Sequence, residues 1–228
     1  MRRPSLSIAA LALIALLGCS GKKDKDLTPE QEMNAIMEAT SPFASAEIRM
    51  DDATTRAVGV NVGDSWVRKM IEHHRGAIAM ARQTLAMDPD ADLAAMARAM
   101  IDEGTQEVSD LQKLTVQGAP NRASADLYQP ALDKMHQAMM AAGGTSLSQT
   151  YHLKMLEHHR GAVAMCDVAL ANGVTGPLRG EVEKVRAYHL TQARRIDAML
   201  RKEAAPRART RPANPQRATT GVWTKPSG

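Results

Sequence analysis

One motif occurs twice in this chain, 85 residues apart. It reads Met-Ile-Glu-His-His-Arg-Gly-Ala-Ile-Ala-Met over residues 70–80 and Met-Leu-Glu-His-His-Arg-Gly-Ala-Val-Ala-Met over residues 155–165. The similarity extends without a gap from about residue 47 to 115 and from about 132 to 200. Self-similarity over this length predicts two copies of one helical unit rather than a solenoid of many short repeats.

The spacing of apolar residues predicts an all-α fold. The 228-residue chain has one Phe, two Trp and three Tyr, so its core must consist mainly of Ala, Leu, Met, Val and Ile. No run alternates with the period of a strand. Helices are predicted over about 29–39, 46–58, 65–87, 91–117, 130–142, 147–172 and 176–202. The four long helices predict an antiparallel four-helix bundle over residues 46–202, built from a tandem duplication with extra short helices.

Local signals mark the expected helix ends. Asp64 is predicted to cap the first motif helix, and Gly118-Ala119-Pro120 to end the helix over 91–117. The apolar positions of that second helix are expected to face inward, and they are Leu93, Met96, Met100, Val108, Leu111 and Leu114.

The N-terminal segment, residues 1–19, has the features of a lipoprotein export signal. Arg2 and Arg3 precede a short apolar stretch, and residues 16–19, Leu-Leu-Gly-Cys, resemble a bacterial lipobox. That resemblance implies cleavage after residue 18, lipidation of Cys19 and attachment to a membrane, while ordinary secretion is the alternative. Ser20 favours the outer membrane if the host has one. Residues 20–45 are expected to form a tether and an N-terminal helix.

The C-terminal segment, residues 203–228, explains the basic charge of the chain. It holds four of the eleven prolines and five basic residues against Glu203, whereas the whole chain has a formal net charge of +4. Such a composition predicts disorder. The body of the protein is then slightly acidic, so no nucleic-acid partner is expected. With Cys19 lipidated, Cys166 has no disulfide partner, and a buried apolar role for it is preferred over a role as a soft metal ligand.

The helical period places the motif histidines on one inner stripe. Positions 66, 70, 73, 77, 80 and 84 share a face, as do positions 151, 155, 158, 162, 165 and 169. His73 and His158 therefore point inward, with His74 and His159 at the edge of each stripe. If the units pair about a pseudo-twofold axis, these two histidine pairs meet in the centre of the bundle.

Other residues can complete a metal site around these histidines. Imidazole and thioether groups suit copper, and imidazole also binds several divalent ions. Glu107 on the next helix is placed to orient an imidazole by accepting its second N–H, and His189 lies in the corresponding region of the second unit. Further candidate ligands are the motif methionines Met70, Met80, Met155 and Met165. A separate peripheral copper site is predicted from Met135, His136, Met139 and Met140.

The double motif, followed on the next helix by Glu107, resembles the bacterial family called domain of unknown function 305. The resemblance covers about residues 47–200. It implies an exported, ferritin-like protein, in a family that includes periplasmic copper-binding members. Carried over position by position, it points to His73, His74, Met80, Glu107, His158, His159 and Met165. The chain departs from the family pattern at Gly104 and His189, where Gln is usual, and at Gln192, where a carboxylate is usual, so the two half-sites are unequal.

Three functions follow from these observations. The first is an envelope lipoprotein that binds copper for sequestration or for transfer to envelope copper-handling proteins. The second is a ferritin-like redox enzyme. The chain contains no Glu-x-x-His sequence, which disfavours di-iron chemistry. The third is a structural or partner-binding bundle without metal, in which the histidines form a hydrogen-bonded polar core.

Overall fold

The computed structural model describes residue 28 and residues 41–204, which form seven α-helices and no strand. The helices are α1 (Ala44–Arg56), α2 (Val62–Ala86), α3 (Ala91–Gln112), α4 (Arg122–Asp126), α5 (Gln129–Ala141), α6 (Leu147–Ala171) and α7 (Gly176–Ala204). The all-α prediction is confirmed for this part of the chain. The export signal with Cys19, the helix predicted over 29–39 and the tail beyond residue 204 lie outside the described residues.

Helix boundaries repeat at the same offset of 85 residues. Helices α1 and α5 begin and end at corresponding positions, as do α2 and α6, and α3 and α7 begin at corresponding positions. The caps correspond as well. Asn61 Oδ1 accepts a hydrogen bond from the third residue after it at 2.9 Å, and Ser146 Oγ does the same at 3.1 Å. Equivalent sequences therefore adopt equivalent local structure.

The two motif helices occupy the middle of the assembly. Helix α2 packs against α1, α3 and α6, and α6 packs against α5, α7 and α2. Gly76 and Gly161 permit the close approach of the short helices, because a Cβ at either position would collide with Met50 or Met135, respectively. Close helix packing therefore explains why glycine stands at these two motif positions, without any reference to metal binding.

Two equivalent lysines are buried at the contacts with the short helices. Lys69 Nζ donates to the Thr54 carbonyl at 2.8 Å, and Lys154 Nζ donates to the Met139 carbonyl at 2.7 Å. Lys154 also forms an ion pair with the buried Glu47, with 2.7 Å between Nζ and Oε1. Position 132, the equivalent of Glu47, is a leucine, so no equivalent carboxylate serves Lys69.

The structure corrects two of the predicted helix ends. Asn61, rather than Asp64, caps α2, while the carboxylate of Asp64 accepts hydrogen bonds from the N–H groups of Val60 and Val116 at 2.9 and 2.8 Å. Helix α3 ends at Gln112, before the predicted residue 117, because the following chain turns to make that bond with Asp64. Leu114 consequently lies outside the helix and is exposed, contrary to the prediction.

The remaining inward-facing predictions for α3 agree with the structure. Leu93 and Leu111 are buried, and Met96, Met100 and Val108 are partly buried against the core. The five-residue helix α4 was not predicted; its cap Asn121 accepts a bond from the N–H of Ser124. Within residues 41–204, no helix combines the length and the hydrophobicity needed to cross a bilayer.

Candidate metal centre

Five of the seven histidines are buried together where α2, α6 and α7 meet. His73, His74, His158, His159 and His189 are each exposed by 2% or less. Their ring centroids lie between 3.6 and 6.5 Å apart in seven of the pairs. All twelve positions of the two predicted stripes are buried as well. The helical period therefore places the four motif histidines in the interior, and α7 contributes a fifth, His189.

The two central imidazoles stack face to face. The rings of His73 and His158 are 3.6 Å apart between centroids and inclined by only 4°. Each comes from the equivalent position of its unit, so this contact lies where an axis relating the two motif helices would pass. Neither ring has a hydrogen-bond partner among the described residues at Nδ1 or at Nε2.

The second histidine of each motif points instead toward the third helix of its own unit: His74 toward α3 and His159 toward α7. His74 Nδ1 lies 3.1 Å from Glu107 Oε2 on α3. When Glu107 is ionised, it accepts a hydrogen bond from the Nδ1–H of His74, and the lone pair of that ring is then on Nε2, the nitrogen that has no partner. Glu107 thus lies within hydrogen-bond distance of a motif imidazole, as the sequence analysis expected, and its role toward a metal stays a prediction.

The second unit replaces that carboxylate contact with a pair of histidines. His159 Nδ1 and His189 Nδ1 are 2.8 Å apart, so one of them must donate and the other accept. His189 Nε2 has no partner. The equivalent of His189 in the first unit is Gly104, where a side chain would press against Ile78. The two halves thus differ in the side chain that reaches the second histidine of the motif: Glu107 contacts His74 in the first unit, and His189 contacts His159 in the second.

Burial keeps this cluster uncharged. Desolvation lowers the pKa of His74 to about 4 and the pKa of His159 to about 3. Desolvation, reinforced by the neighbouring imidazoles, holds the pKa values of His73, His158 and His189 well below the usual range. Burial together with nearby Glu103 raises the pKa of Glu107 to about 7. Neutral imidazole is the form that binds metal ions, so no proton has to be displaced from these rings at neutral pH.

The unpartnered nitrogens are the feature that packing does not explain. Six ring nitrogens of four histidines in the centre are buried without a hydrogen bond to any described residue, and His136 and His152 outside the centre add three more. Each such group costs about 1–3 kcal/mol, so together they would offset much of the 5–15 kcal/mol that stabilises a typical domain. A hydrogen-bonded polar core, the third hypothesis above, would instead satisfy these atoms within the protein.

Spacings in the cluster suit a small metal ion. One ligand atom each from His74, Glu107 and His189 lies within 4.8 Å of the other two. Imidazole nitrogens bind zinc at about 2.0–2.1 Å, which puts two nitrogens on one ion roughly 2.8–3.4 Å apart. The His159–His189 nitrogen distance of 2.8 Å is that of a hydrogen bond, in which one of the two nitrogens carries the proton. The three side chains His74, Glu107 and His189 therefore form the group that could share one ion.

The four motif methionines predicted as ligands lie among apolar side chains rather than in the polar centre. Met70, Met80, Met155 and Met165 are all buried in the hydrophobic core. Met155 also lines a cavity of about 490 Å³ that His159 borders. The free thiol of Cys166 is buried as well, and burial raises its pKa to about 12, so it carries no charge at neutral pH.

The predicted peripheral cluster is divided between two faces of α5. Met135 and Met139 are buried, and the side chain of Met135 packs over Gly161. His136 is partly exposed, with Nδ1 4.0 Å from Asp51 Oδ1, and Met140 is exposed. Helical spacing separates the two pairs, because positions 135 and 139 share one face and positions 136 and 140 share another.

Comparison with known families agrees with part of this picture. Residues 14–115 match the model of the family described as "Domain of unknown function (DUF305)", which confirms the family resemblance over the segment that contains the first motif and Glu107. The description assigns the family no function. Neither a curated protein nor a solved structure matched the chain.

Proposed function

We propose that this protein is a metal-binding lipoprotein of the cell envelope that holds copper in the five-histidine centre, for sequestration or transfer. The observation that carries the proposal is the set of six buried ring nitrogens with no hydrogen-bond partner among the described residues. Neutral imidazoles suit both oxidation states of copper, and His74, held by Glu107, supplies an oriented donor.

The proposed architecture is a ferritin-like four-helix bundle of α2, α3, α6 and α7, derived from a tandem duplication. Its support is the offset of 85 residues shared by the helix boundaries, the two buried lysines and the two motif glycines. In this arrangement the duplicated histidines converge, and the sequence differences at positions 189 and 192 make the centre asymmetric.

The proposed location rests on the first residues of the sequence. Cleavage before Cys19 and lipidation there would anchor the protein to a membrane and place the centre outside the cytoplasm, with envelope copper-handling proteins as partners. Metabolic labelling with a palmitate analogue tests this anchor. Label in the full chain and none in Cys19→Ser is expected; equal label in both would contradict it.

Metal titration of the full chain, purified with a histidine-free tag, tests the binding function. The double variant H73L/H158L should lose tight binding of Cu(I) and Cu(II), because it removes the four central nitrogens while keeping an apolar core. The control His152→Gln changes a histidine that lies outside the centre and contacts Glu203, and it should bind as the unaltered chain does. Unchanged stoichiometry and affinity in H73L/H158L would leave the histidines with a structural role only.

A further inference from the structure

A cavity lined by methionines adjoins the histidine centre beside His159. It measures about 490 Å³ and lies between α3, α6 and α7. Four methionines line it, namely Met96, Met100, Met155 and Met199. His159 belongs both to this cavity and to the centre, since its Nδ1 is 2.8 Å from His189 Nδ1.

The equivalent place in the other half of the molecule has different chemistry. A cavity of about 100 Å³ lies beside His74, the equivalent of His159, and is lined among others by Glu107, Glu181 and Val185. Glu181 and Val185 stand where the first cavity has Met96 and Met100. The equivalent of Met199 is Leu114, which is exposed and lines neither cavity. Thioethers have therefore accumulated at one of two equivalent places.

Packing alone does not require this arrangement. Met96, Met100 and Met199 are only partly buried, so their thioethers border open space instead of filling the core. Charged and polar groups also line the cavity: Asp92, Glu103, Arg195, Gln192 and Tyr188, whose hydroxyl bonds to Glu103 at 2.6 Å. The acidic groups outnumber the basic one, which suits a cation. Thioether sulfur is a soft donor and selects Cu(I) over Zn²⁺ and other harder ions.

We propose that this methionine cavity is a second metal site, which binds a soft monovalent cation such as Cu(I) through the thioethers and His159. The site is on the solvent side of the centre, so an ion held there is one imidazole away from His189. A cation bound in the cavity could also pass on to the histidine centre, and this role as an access path rests on the function proposed above. The binding of soft cations in the cavity is independent of that function.

Ag(I) is the probe, because it has the softness and charge of Cu(I) and no redox chemistry under these conditions. The full chain is titrated with Ag(I), and each species is counted by native mass spectrometry. The variant M96L/M100L/M199L keeps side-chain volume, so its cost in stability is small. It should lose one Ag(I) equivalent, or bind that equivalent at least about tenfold more weakly. The control Met87→Leu, on a partly buried methionine outside the cavity, should bind normally.

Two further measurements separate the possible failures. Methionine methyl NMR signals of positions 96, 100 and 199 should shift on adding Ag(I), also in H73L/H158L. Ag(I) binding and shifts that persist in H73L/H158L, alongside lost Cu(II) binding, support both proposals. Shifts in a chain whose Cu(II) binding does not depend on His73 and His158 support the cavity alone. Unshifted methyl signals, or Ag(I) binding unchanged in M96L/M100L/M199L, overturn the cavity site, including the case in which it holds an apolar molecule.

Discussion

The imidazoles of His73 and His158 stack in parallel at 3.6 Å, each fully buried and each without a hydrogen-bond partner in the described part of the chain. This pair comes from equivalent positions of the two motif helices. An arrangement that leaves four nitrogens unsatisfied is costly for folding, and this cost is the main support for the metal-binding function proposed above.

Replacing His73 and His158 should make the metal-free protein more stable but abolish its binding of copper. H73L/H158L should raise the free energy of unfolding of the metal-free protein by at least about 1–3 kcal/mol, the cost of one such group, since it removes four buried unsatisfied nitrogens. It should also abolish the further stabilisation that added copper gives to the unaltered chain. Urea unfolding with chelator and with copper measures both effects. A metal-free variant that is markedly less stable would mean that the imidazoles are satisfied in the native state.

Glu107 should affect metal affinity more than folding. The change Glu107→Gln keeps the size of the side chain but removes the charge that holds the proton on His74 Nδ1. Loss of such an orienting carboxylate typically weakens metal binding about 10–100-fold. Competition titration against a copper chelator gives the affinity. Glu181→Gln is the control, because Glu181 lines the same small cavity but pairs with Lys184 rather than with an imidazole; equal effects of the two changes would contradict a specific role for Glu107.

The motif glycine should resist replacement by alanine even within a helix. Gly76→Ala places a Cβ against the Met50 side chain and should destabilise the fold by about 1–3 kcal/mol. Gly180→Ala is the matched control, because nothing lies within 4 Å of its added Cβ. That change should stabilise the protein by up to about 1 kcal/mol through helix propensity. Thermal unfolding compares them, and a gain in stability for both would show that α1 does not approach α2 as closely as described.

The equivalent lysines should respond oppositely to replacement by methionine. Lys154→Met leaves Glu47 buried without its partner, and breaking such a pair costs about 3–5 kcal/mol. Lys69→Met removes a buried ammonium that has no ion pair among the described residues and is opposed only at longer range by Asp126, so its effect at pH 7 should be much smaller or stabilising. Denaturant unfolding gives both values. Equal losses of stability would indicate that the contacts of Lys69 stabilise the fold as much as the ion pair of Lys154 does.

The effect of Lys69 should also depend on pH. Desolvation, and next the nearby Arg122, lower its pKa from 10.5 to about 8 in the folded protein. Between those values the unfolded chain binds more protons, so the contribution of Lys69 to stability rises with pH across this window. The unaltered chain should therefore gain stability relative to Lys69→Met between pH 8 and 10.5. A difference that stays constant over that range would contradict the lowered pKa.

Helical periodicity accounts for most of what the sequence predicted. The stripes through His73 and His158 are buried, and the helix boundaries of the second unit lie within two residues of the predicted ones. The wrong helix end at residues 113–117 has a long-range cause. The Asp64 carboxylate accepts a hydrogen bond from the Val116 N–H, 52 residues further along the chain, and no local sequence pattern predicts that bond.

The geometry of the centre was only partly predictable for a similar reason. Period and spacing place His74 and His159 at the stripe edge, but their partners depend on how α3 and α7 pack against the motif helices. The stacking of His73 on His158 and the contact of His159 with His189 are set by that packing. The departure at position 189 from the family pattern was the sequence signal that marked this asymmetry.

Copper K-edge X-ray absorption of the copper-loaded full chain tests the central claim most directly. The account predicts tight loading and the multiple-scattering signature of several imidazole ligands, both lost in H73L/H158L and retained in His152→Gln. No saturable copper uptake, or a spectrum that lacks imidazole scattering and is unchanged in H73L/H158L, would contradict a metal centre built on these histidines.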